Sequence, residues 1–347
     1  MALYAPEHDD LRAAVRGLLE KAADSAAVRR TVAAGGFDAA LWQRMSGELG
    51  LAGLAIPEEH GGSGYGPVEL GVVLEEIGRA NLPSPYLTTV LAGVALSTAG
   101  AADDLLPVVA AGERLATVSF GTGWTLDGDR VTGLVDHVPD GTTADRLVLV
   151  GAPGGVVVDL AGADRRPLRT MDLTRGQARI TLAGAPARPF AAPHGWAGRV
   201  GAVAAVLVAC EQVGGADRVL ETASAYAGER VQFGRPIGSF QAVKHLLADM
   251  LVALELARST QQHALGLLAA PGADPAAVDA AARSARVACS RAFVQISSDA
   301  IRVLGGIGYT WEHDAHLYFR RARASAALFG AGDDLDRLAT HAGLVPS

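Results

Sequence analysis

The sequence predicts a mainly α-helical protein with a small β domain in its middle. Half of the 347 residues are hydrophobic and few are aromatic, a composition typical of a chain that buries an ample core. Apolar residues recur at helical spacing through long Ala-rich stretches, whereas short runs between Gly/Asp turns near the middle favour strands. We therefore expect an N-terminal helical domain over 1–113, a β-barrel-like domain over 114–192 and a C-terminal four-helix bundle over 193–347.

The first domain is predicted to be helical from residue 9 to about 112. Leu11, Val15 and Leu18 form one apolar stripe at helical spacing. The glycine-rich segment 57–66 is typical of an ordered loop. Pro67 then suits the first turn of the next helix.

The middle domain is predicted to consist of short strands. These are expected at 115–120, 130–135, 146–150, 156–160 and 177–182. The domain is expected to close between Pro189 and Pro193.

Helical periodicity returns at Trp196 in segments long enough for a bundle. The predicted helices cover about 197–228, 238–269 and 274–304, with a final pair within 313–345. The Gly/Pro breaks between them allow the chain to reverse direction.

Charge and composition exclude several function classes. The net charge of −7 disfavours nucleic acid, so an anionic ligand would need a local basic cluster, for which Arg230, Arg235 and Lys244 are the candidates. Cys210 and Cys289 lie in apolar helical surroundings and are expected to be buried free thiols. No signal peptide and no charge-free apolar span of about 18 residues occurs, so we expect a cytoplasmic protein without a membrane segment.

No metal site is expected. His313, Asp314 and His316 are better explained as a solvated helix start, because further ligands are missing nearby. Neither a Gly-x-Ser-x-Gly elbow nor a nucleotide-binding glycine loop in strand-to-helix context is present.

Three stretches are distinctive: the loop and helix over 57–81, the segment Glu229–Gln241, and the segment Arg302–Tyr309. Together they resemble the signatures of the acyl-CoA dehydrogenase family, in the family's order and across nearly the whole chain. The resemblance implies FAD as cofactor, an acyl-CoA substrate, and a dimer or tetramer in which each flavin lies between two subunits.

The resemblance also implies which residues bind FAD. Arg230 would hold the pyrophosphate, for which a guanidinium offers a fork of donors, and Gln241 would reach the adenosine half. Gly305 and Gly306 would let the backbone approach the cofactor closely. The remaining residues assigned to cofactor binding are Gln232, Phe233 and Arg302, the last standing where the family usually has Gln. The alternative is a surface arginine after a helix and a core Phe.

The family's catalytic base is missing from its two usual positions. The reaction needs a carboxylate within reach of the α-proton of an acyl thioester, and Gly330 and Ala204 occupy the positions where such members carry Glu. No catalytic residue is therefore assigned. Asp333, Asp334 and Glu211 lie nearby, but an exposed acid at a helix start is the common case.

The flavin-ring pocket of the family is also incomplete. The segment 119–124 runs straight into the next strand without the family's usual loop. The strand that should contact the flavin ring has the sequence Asp-His-Val-Pro-Asp over residues 136–140. Much of the ring pocket is therefore predicted to be absent.

The chain most resembles the short, catalytically incomplete subunits that pair with a complete acyl-CoA dehydrogenase chain in bacterial heterotetramers, known from breakdown of bulky acyl-CoA such as sterol side chains. Two alternatives stay open. One is a scaffold or binding subunit without flavin, and the other is a self-sufficient homomeric dehydrogenase with a relocated base.

Overall fold

A computed structural model of the protein describes residues 3–101, 103–151 and 154–341, with the backbone alone at 331–333 and 341. The N-terminal part is helical, as predicted. Its α-helices are α1 Pro6–Ala22, α2 Ser25–Ala34, α3 Ala39–Gln43, α4 Pro67–Arg79, α5 Tyr86–Ala99 and α6 Leu106–Ala110. A π-helical turn, Arg44–Glu48, follows α3. Helix α4 begins at Pro67, where the missing N–H of proline costs no intrahelical bond.

Within the described residues, seven strands form the middle of the chain. They are β1 Ala116–Ser119, β2 Trp124–Asp127, β3 Arg130–Pro139, β4 Arg146–Val150, β5 Gly154–Asp159, β6 Asp164–Pro167 and β7 Gln177–Ala191. They are connected in the order β1-β4-β5-β7-β3-β2, and β6 also pairs with β7. The pair β1–β4 is parallel and the other pairs are antiparallel. The sequence did not predict β2 and β6 as separate strands.

Strand β7 is longer than the sequence predicts. It was expected to end near residue 182, but it continues to Ala191 through Pro186 and Pro189. The strand changes partner on the way, since it pairs with β3 as far as Pro186 and with β5 from Ala187. Gly184, with φ +67°, lies at an irregularity in the β3 pairing, where an extra residue bends the strand. Prolines are tolerated at such a bend because fewer ladder hydrogen bonds are required there.

The C-terminal part is the predicted bundle. Its helices are α7 Trp196–Glu229, α8 Gln241–Ala269, α9 Pro275–Leu304, α10 Ala315–Ser325 and α11 Asp334–His341. A hairpin of β8 Val231–Gln232 and β9 Arg235–Pro236 connects α7 to α8. Short 3-10 segments, Gly305–Tyr309 and Leu328–Asp333, follow α9 and α10.

Helix α7 lies at the centre of the protein. By length and composition it is the one described helix that could cross a membrane, but 89% of its most apolar window is buried inside the protein. That environment is the one expected for a core helix.

The hydrophobic cores do not follow the order of the chain. One continuous core joins the N-terminal helices to the bundle, whereas most of the buried residues of the strands form a second core. Helices α4 and α7 touch through glycines: a Cβ on Gly78 would lie 1.9 Å from the Glu211 carbonyl oxygen, and one on Gly214 would lie 1.8 Å from that of Glu75. Only glycine permits this approach. The domain limits at 113 and 192 stay predictions of the sequence.

Candidate functional site

The predicted cofactor-binding residues lie at one end of the bundle. Helices α7 and α9 run in the same direction, because Gln212 bonds Ser290 over 3.0 Å and Gly215 faces Phe293 at the same sequence offset. The C-terminal ends of α7 and α9 therefore lie at the same end, where the antiparallel α8 begins. The direction and length of these helices thus bring the Arg230–Gln241 segment and the Arg302–Gly306 segment to the same end of the bundle.

Phe233 is held at the tip of the β8–β9 hairpin. Its side chain is 92% exposed, and its φ of +54° is unfavourable for a residue with a Cβ. Within the chain, its ring meets Phe240 edge-on at 6.1 Å, and the Arg235 guanidinium covers Phe240 at 4.1 Å. The alternative of a core Phe is therefore wrong for this residue. An exposed aromatic side chain on a constrained hairpin is typical of a contact surface.

The candidate basic cluster is unpaired. Among residues 3–101, 103–151 and 154–341, no carboxylate forms a salt bridge with Arg230, Arg235 or Lys244. Guanidinium and ammonium groups without a carboxylate partner are suited to bind an anion such as a pyrophosphate.

The remaining cofactor candidates differ in availability. Gln241 is the exposed first residue of α8, whereas Gln232 donates to the carbonyl of Val231 over 2.8 Å. Arg302 is 64% exposed and donates to Asp299 over 2.9 Å. Arg302 is therefore already paired with a carboxylate of its own helix, unlike Arg230.

Gly305 and Gly306 have different reasons to be glycine. Gly305 ends α9 with φ +63°, a conformation that favours glycine. Gly306 has no positive φ, and a Cβ added to it would have no atom of the described chain within 4 Å. Packing within the chain does not require glycine at 306, which agrees with close approach by a group outside this subunit.

Gly306→Ala is expected to leave the free energy of unfolding of the isolated chain within about 0.5 kcal/mol of wild type, because the added methyl group meets open space. If a cofactor approaches here, the same change lowers flavin occupancy of the assembled protein. Chemical denaturation and the flavin-to-protein absorbance ratio measure the two effects. A clear loss of stability would mean that the glycine serves the fold.

The two expected base positions have different surroundings. Gly330 is exposed, with φ +79° and nothing within 4 Å of a Cβ, whereas Ala204 is completely buried in α7. Beside Gly330, the ring of Phe329 packs edge-on against Phe120 at 5.9 Å. This aromatic pair joins the β region to the loop after α10.

Asp334 is not the exposed acid that the sequence predicts. It begins α11, but it is 7% exposed and accepts from Arg283 over 2.7 Å, with the Nε atom of Arg286 at 3.6 Å. Both contacts turn its carboxylate towards α9. The side chain of Asp333 lies outside the described part of the structure.

Glu211 is likewise a buried ion-pair partner. It is 1% exposed, and its carboxylate receives two hydrogen bonds from Arg175, at 2.8 and 3.0 Å, and one from Arg321 at 3.0 Å. Burial alone would raise its pKa, but the two guanidinium groups hold the pKa of Glu211 below its usual value. The expectation of an exposed acid is wrong here too, and a carboxylate bound in this way is unsuited to accept a substrate proton.

Sequence reasoning missed Arg321, which connects all three parts of the protein. It donates to Glu211 of the bundle, to Thr174 of the loop before β7, and to the carbonyl of Leu82 between α4 and α5. Its side chain is 1% exposed. The signal available was weak, because an arginine near the middle of a polar helix usually faces solvent.

Asp140 belongs to the segment that replaces the expected ring-contacting strand. It is buried, with φ +52°, and it accepts from the Thr88 hydroxyl over 2.8 Å. Burial raises the pKa of Asp140 to about 6, although Arg175 opposes the shift. Asp140 therefore contacts the N-terminal helices, whereas the exposed Asp136 and His137 of the same segment lie against Arg179 and Gln177.

Because the pKa of Asp140 is raised in the folded state, its contribution to stability is present at low pH and is lost as the pH rises through about 6. Asp140→Asn removes this titration. The difference in unfolding free energy between wild type and Asp140→Asn is expected to change by about 1.5 kcal/mol between pH 5 and pH 7.5, in favour of wild type at pH 5. Urea denaturation at the two pH values measures it, and a pH-independent difference contradicts the assignment.

The histidine-rich helix start is engaged in local contacts. His313 Nδ1 accepts from the Ala315 N–H at 3.1 Å, Asp314 pairs with Arg29, and His316 packs against Trp311 at 4.5 Å. No group of three potential ligands suited to a metal ion occurs within the described residues. Cys210 and Cys289 are buried free thiols, as predicted.

Comparison with known proteins gives a consistent family assignment. Residues 5–113 match the acyl-CoA dehydrogenase N-terminal domain, and residues 201–337 match the acyl-CoA dehydrogenase C-terminal domain. The chain is 38% identical over 325 residues to acyl-CoA dehydrogenase IpdE2 of Mycolicibacterium smegmatis, covering 93% of this chain and 94% of that protein.

Solved structures agree over the full length. A protein described as the Tcur3481-Tcur3483 steroid ACAD G363A variant shares 31% identity, with a TM-score of 0.88 over 97% of this chain and 98% of that one. The ChsE4-ChsE5 complex from Mycobacterium tuberculosis contains a chain with 27% identity and a TM-score of 0.89, each chain being covered completely. With its helical, β and helical parts in matching order, the chain belongs to the acyl-CoA dehydrogenase family.

Proposed function

We propose that this chain is the cofactor-anchoring subunit of a heteromeric acyl-CoA dehydrogenase that introduces an α,β double bond into an acyl-CoA thioester. Members of the family use FAD, which when bound accepts the hydride that leaves the β-carbon. In this proposal Arg230 and Gln241 hold the pyrophosphate and adenosine half of FAD, and Gly305 and Gly306 allow its close approach. A homologous partner supplies the carboxylate base and the contacts to the flavin ring.

One observation carries the proposal: the anchoring groups are exposed and unpaired, while Glu211 and Asp334, two acids near the base positions, are held in ion pairs. Arg230 has no salt-bridge partner in the described chain and Phe233 is 92% exposed. Glu211 is held by Arg175 and Arg321 instead. This contrast favours a shared centre over a self-sufficient one.

Exposed apolar side chains support a partner subunit. On α8, Leu251, Val252 and Leu256 are 50%, 59% and 65% exposed, and they follow the Phe233 hairpin along the chain. Large apolar side chains grouped on a helix surface are typical of protein interfaces. Two relatives come from complexes whose descriptions name two different proteins, Tcur3481-Tcur3483 and ChsE4-ChsE5. We assign the acyl group to steroid-derived thioesters because of the likeness to the steroid ACAD.

The test is the visible spectrum of the purified protein. The chain alone is expected to be colourless, and the chain co-expressed with a full-length homologue carrying the Glu base is expected to be yellow and to bleach with a steroid-derived acyl-CoA. Replacing the partner's base by Gln should abolish bleaching, whereas Gly330→Glu in this chain should not restore it, because a Glu at φ +79° is strained and exposed.

Two outcomes overturn the proposal. Full flavin occupancy and bleaching of the homomer would favour a self-sufficient dehydrogenase. Absence of flavin from every combination of chains would favour the scaffold.

A further inference from the structure

A cavity of about 420 Å³ is lined by none of the predicted cofactor residues, although Leu304, the residue before Gly305, lies in its wall. It opens between the corner joining α1 and α2, the end of α4, and the facing sides of α7, α9 and α10. Its apolar walls are buried side chains: Leu19, Val28, Val219, Ala300, Leu304 and Leu317. Its volume lies within the ~300–1,000 Å³ typical of small-molecule sites.

Asn81, the only asparagine in the sequence, lines this cavity. The residue is 2% exposed, yet neither its amide nitrogen nor its amide oxygen has a hydrogen-bond partner among the described residues. Burying an amide without partners costs free energy, and such groups are rare in folded proteins. The described chain therefore supplies neither an acceptor for the amide nitrogen of Asn81 nor a donor for its amide oxygen.

The backbone conformation at residue 81 suits glycine or asparagine, and it leaves the burial of an unpaired amide unexplained. Asn81 has φ +49° and terminates α4: its N–H donates to the Gly78 carbonyl over 3.0 Å, and the Leu82 N–H donates to the Ile77 carbonyl over 3.1 Å. Glycine is the usual residue at this position of a helix end. Because glycine makes the same turn without burying an amide, the side chain of Asn81 needs another reason.

Three further polar side chains around the cavity, those of Arg16, Arg79 and Tyr318, already have hydrogen-bond partners. Arg16 donates twice to Glu76, with both distances 2.8 Å, and Arg79 pairs with Asp217 and Glu221. The Tyr318 hydroxyl donates to the Arg79 carbonyl over 2.7 Å. A ligand would therefore find its hydrogen-bonding partner at Asn81.

The charges around the cavity select the kind of ligand. The charged lining residues are three arginines and five carboxylates: Arg16, Arg79, Arg218, Glu20, Asp24, Glu76, Glu312 and Asp314. This excess of negative charge opposes an anion such as a phosphate or a carboxylate. The apolar walls oppose a strongly hydrated cation.

We propose that this cavity binds a neutral, largely apolar small molecule whose polar group both donates and accepts a hydrogen bond, namely an alcohol or a primary amide. The polar group pairs with the amide of Asn81 while the apolar part fills the space between α1, α7 and α9. This site does not depend on FAD or on a partner subunit, so its failure and that of the proposed function are distinguishable.

The test is a saturation-transfer NMR titration of the full-length chain with 4-cyclohexylcyclohexanol as probe. Saturable binding to wild type is expected. Asn81→Gly keeps the turn and removes the amide, so it should bind the probe at least tenfold more weakly without lowering the thermal unfolding midpoint. The matching anion, 4-cyclohexylcyclohexanecarboxylate, should bind wild type at least tenfold more weakly than the alcohol.

Thr222→Ala is the control, because the Thr222 hydroxyl lines the cavity but already donates to the Arg218 carbonyl over 2.9 Å. It should bind the alcohol as wild type does. Absence of binding to wild type, or equal binding to Asn81→Gly, would overturn the proposal. A fall of several degrees in the thermal unfolding midpoint of Asn81→Gly would also overturn it. That result would mean that the amide already has a hydrogen-bond partner in the folded protein, such as a buried water.

Discussion

Replacing Arg321 with methionine is expected to lower the free energy of unfolding by about 3–5 kcal/mol, the cost of removing one partner from a buried ion pair. Methionine replaces the aliphatic part of the side chain and leaves the Glu211 carboxylate with Arg175 as its remaining cation. It also removes the donors to Thr174 and to the Leu82 carbonyl. Urea denaturation followed by circular dichroism measures the loss.

Arg323→Met on the same helix is the matched control. Arg323 is exposed and its charge lies 5.4 Å from the ring of Phe319, without a buried carboxylate. A change within about 0.5 kcal/mol is expected for such a surface position. Equal effects of the two substitutions would mean that the buried network contributes nothing particular to stability.

Replacing Arg230 with alanine is expected to weaken flavin binding by the assembled protein about 10- to 100-fold, since charge-assisted hydrogen bonds contribute roughly 1.5–3 kcal/mol. Stability should stay near that of wild type, because the Arg230 side chain has no salt bridge in the described chain. Fluorescence titration of the apoprotein complex with FAD measures the affinity.

Arg199→Ala tests whether charge alone is responsible. Arg199 is exposed near the start of α7, at the opposite end of the helix that Arg230 ends. Both variants lose one positive charge, so a general electrostatic effect would weaken FAD binding equally. Loss confined to Arg230→Ala supports a direct contact with the cofactor.

The bundle was predictable because its signals are local. Helical periodicity and Gly/Pro breaks set the limits of α7 and α9 to within one residue of those observed. For α8 the start was three residues early, because a short 3-10 turn, Ile237–Ser239, precedes Gln241. Since these helices alternate in direction, their lengths also bring the predicted cofactor segments to one end.

The buried charges were not predictable, because their partners are distant in the sequence. Glu211, Arg175 and Arg321 come from three different elements, and nothing local distinguishes them from surface residues. Continuation of β7 through Pro186 was missed for a similar reason: proline disfavours a strand unless a change of partner relaxes the pairing. The assignments of Arg230 and Gln241 to FAD came from family resemblance and stay predictions.

The glycine contact between α4 and α7 has a consequence for how the polypeptide acquires its structure. Gly78 meets the backbone at Glu211, ~130 residues later in the chain, so the first helices cannot complete their packing until α7 has left the ribosome. The strands between them carry their own core, and all of their pairings lie within the segment from Ala116 to Ala191. We therefore expect the middle of the polypeptide to become protected from proteolysis during synthesis before the segment that precedes it.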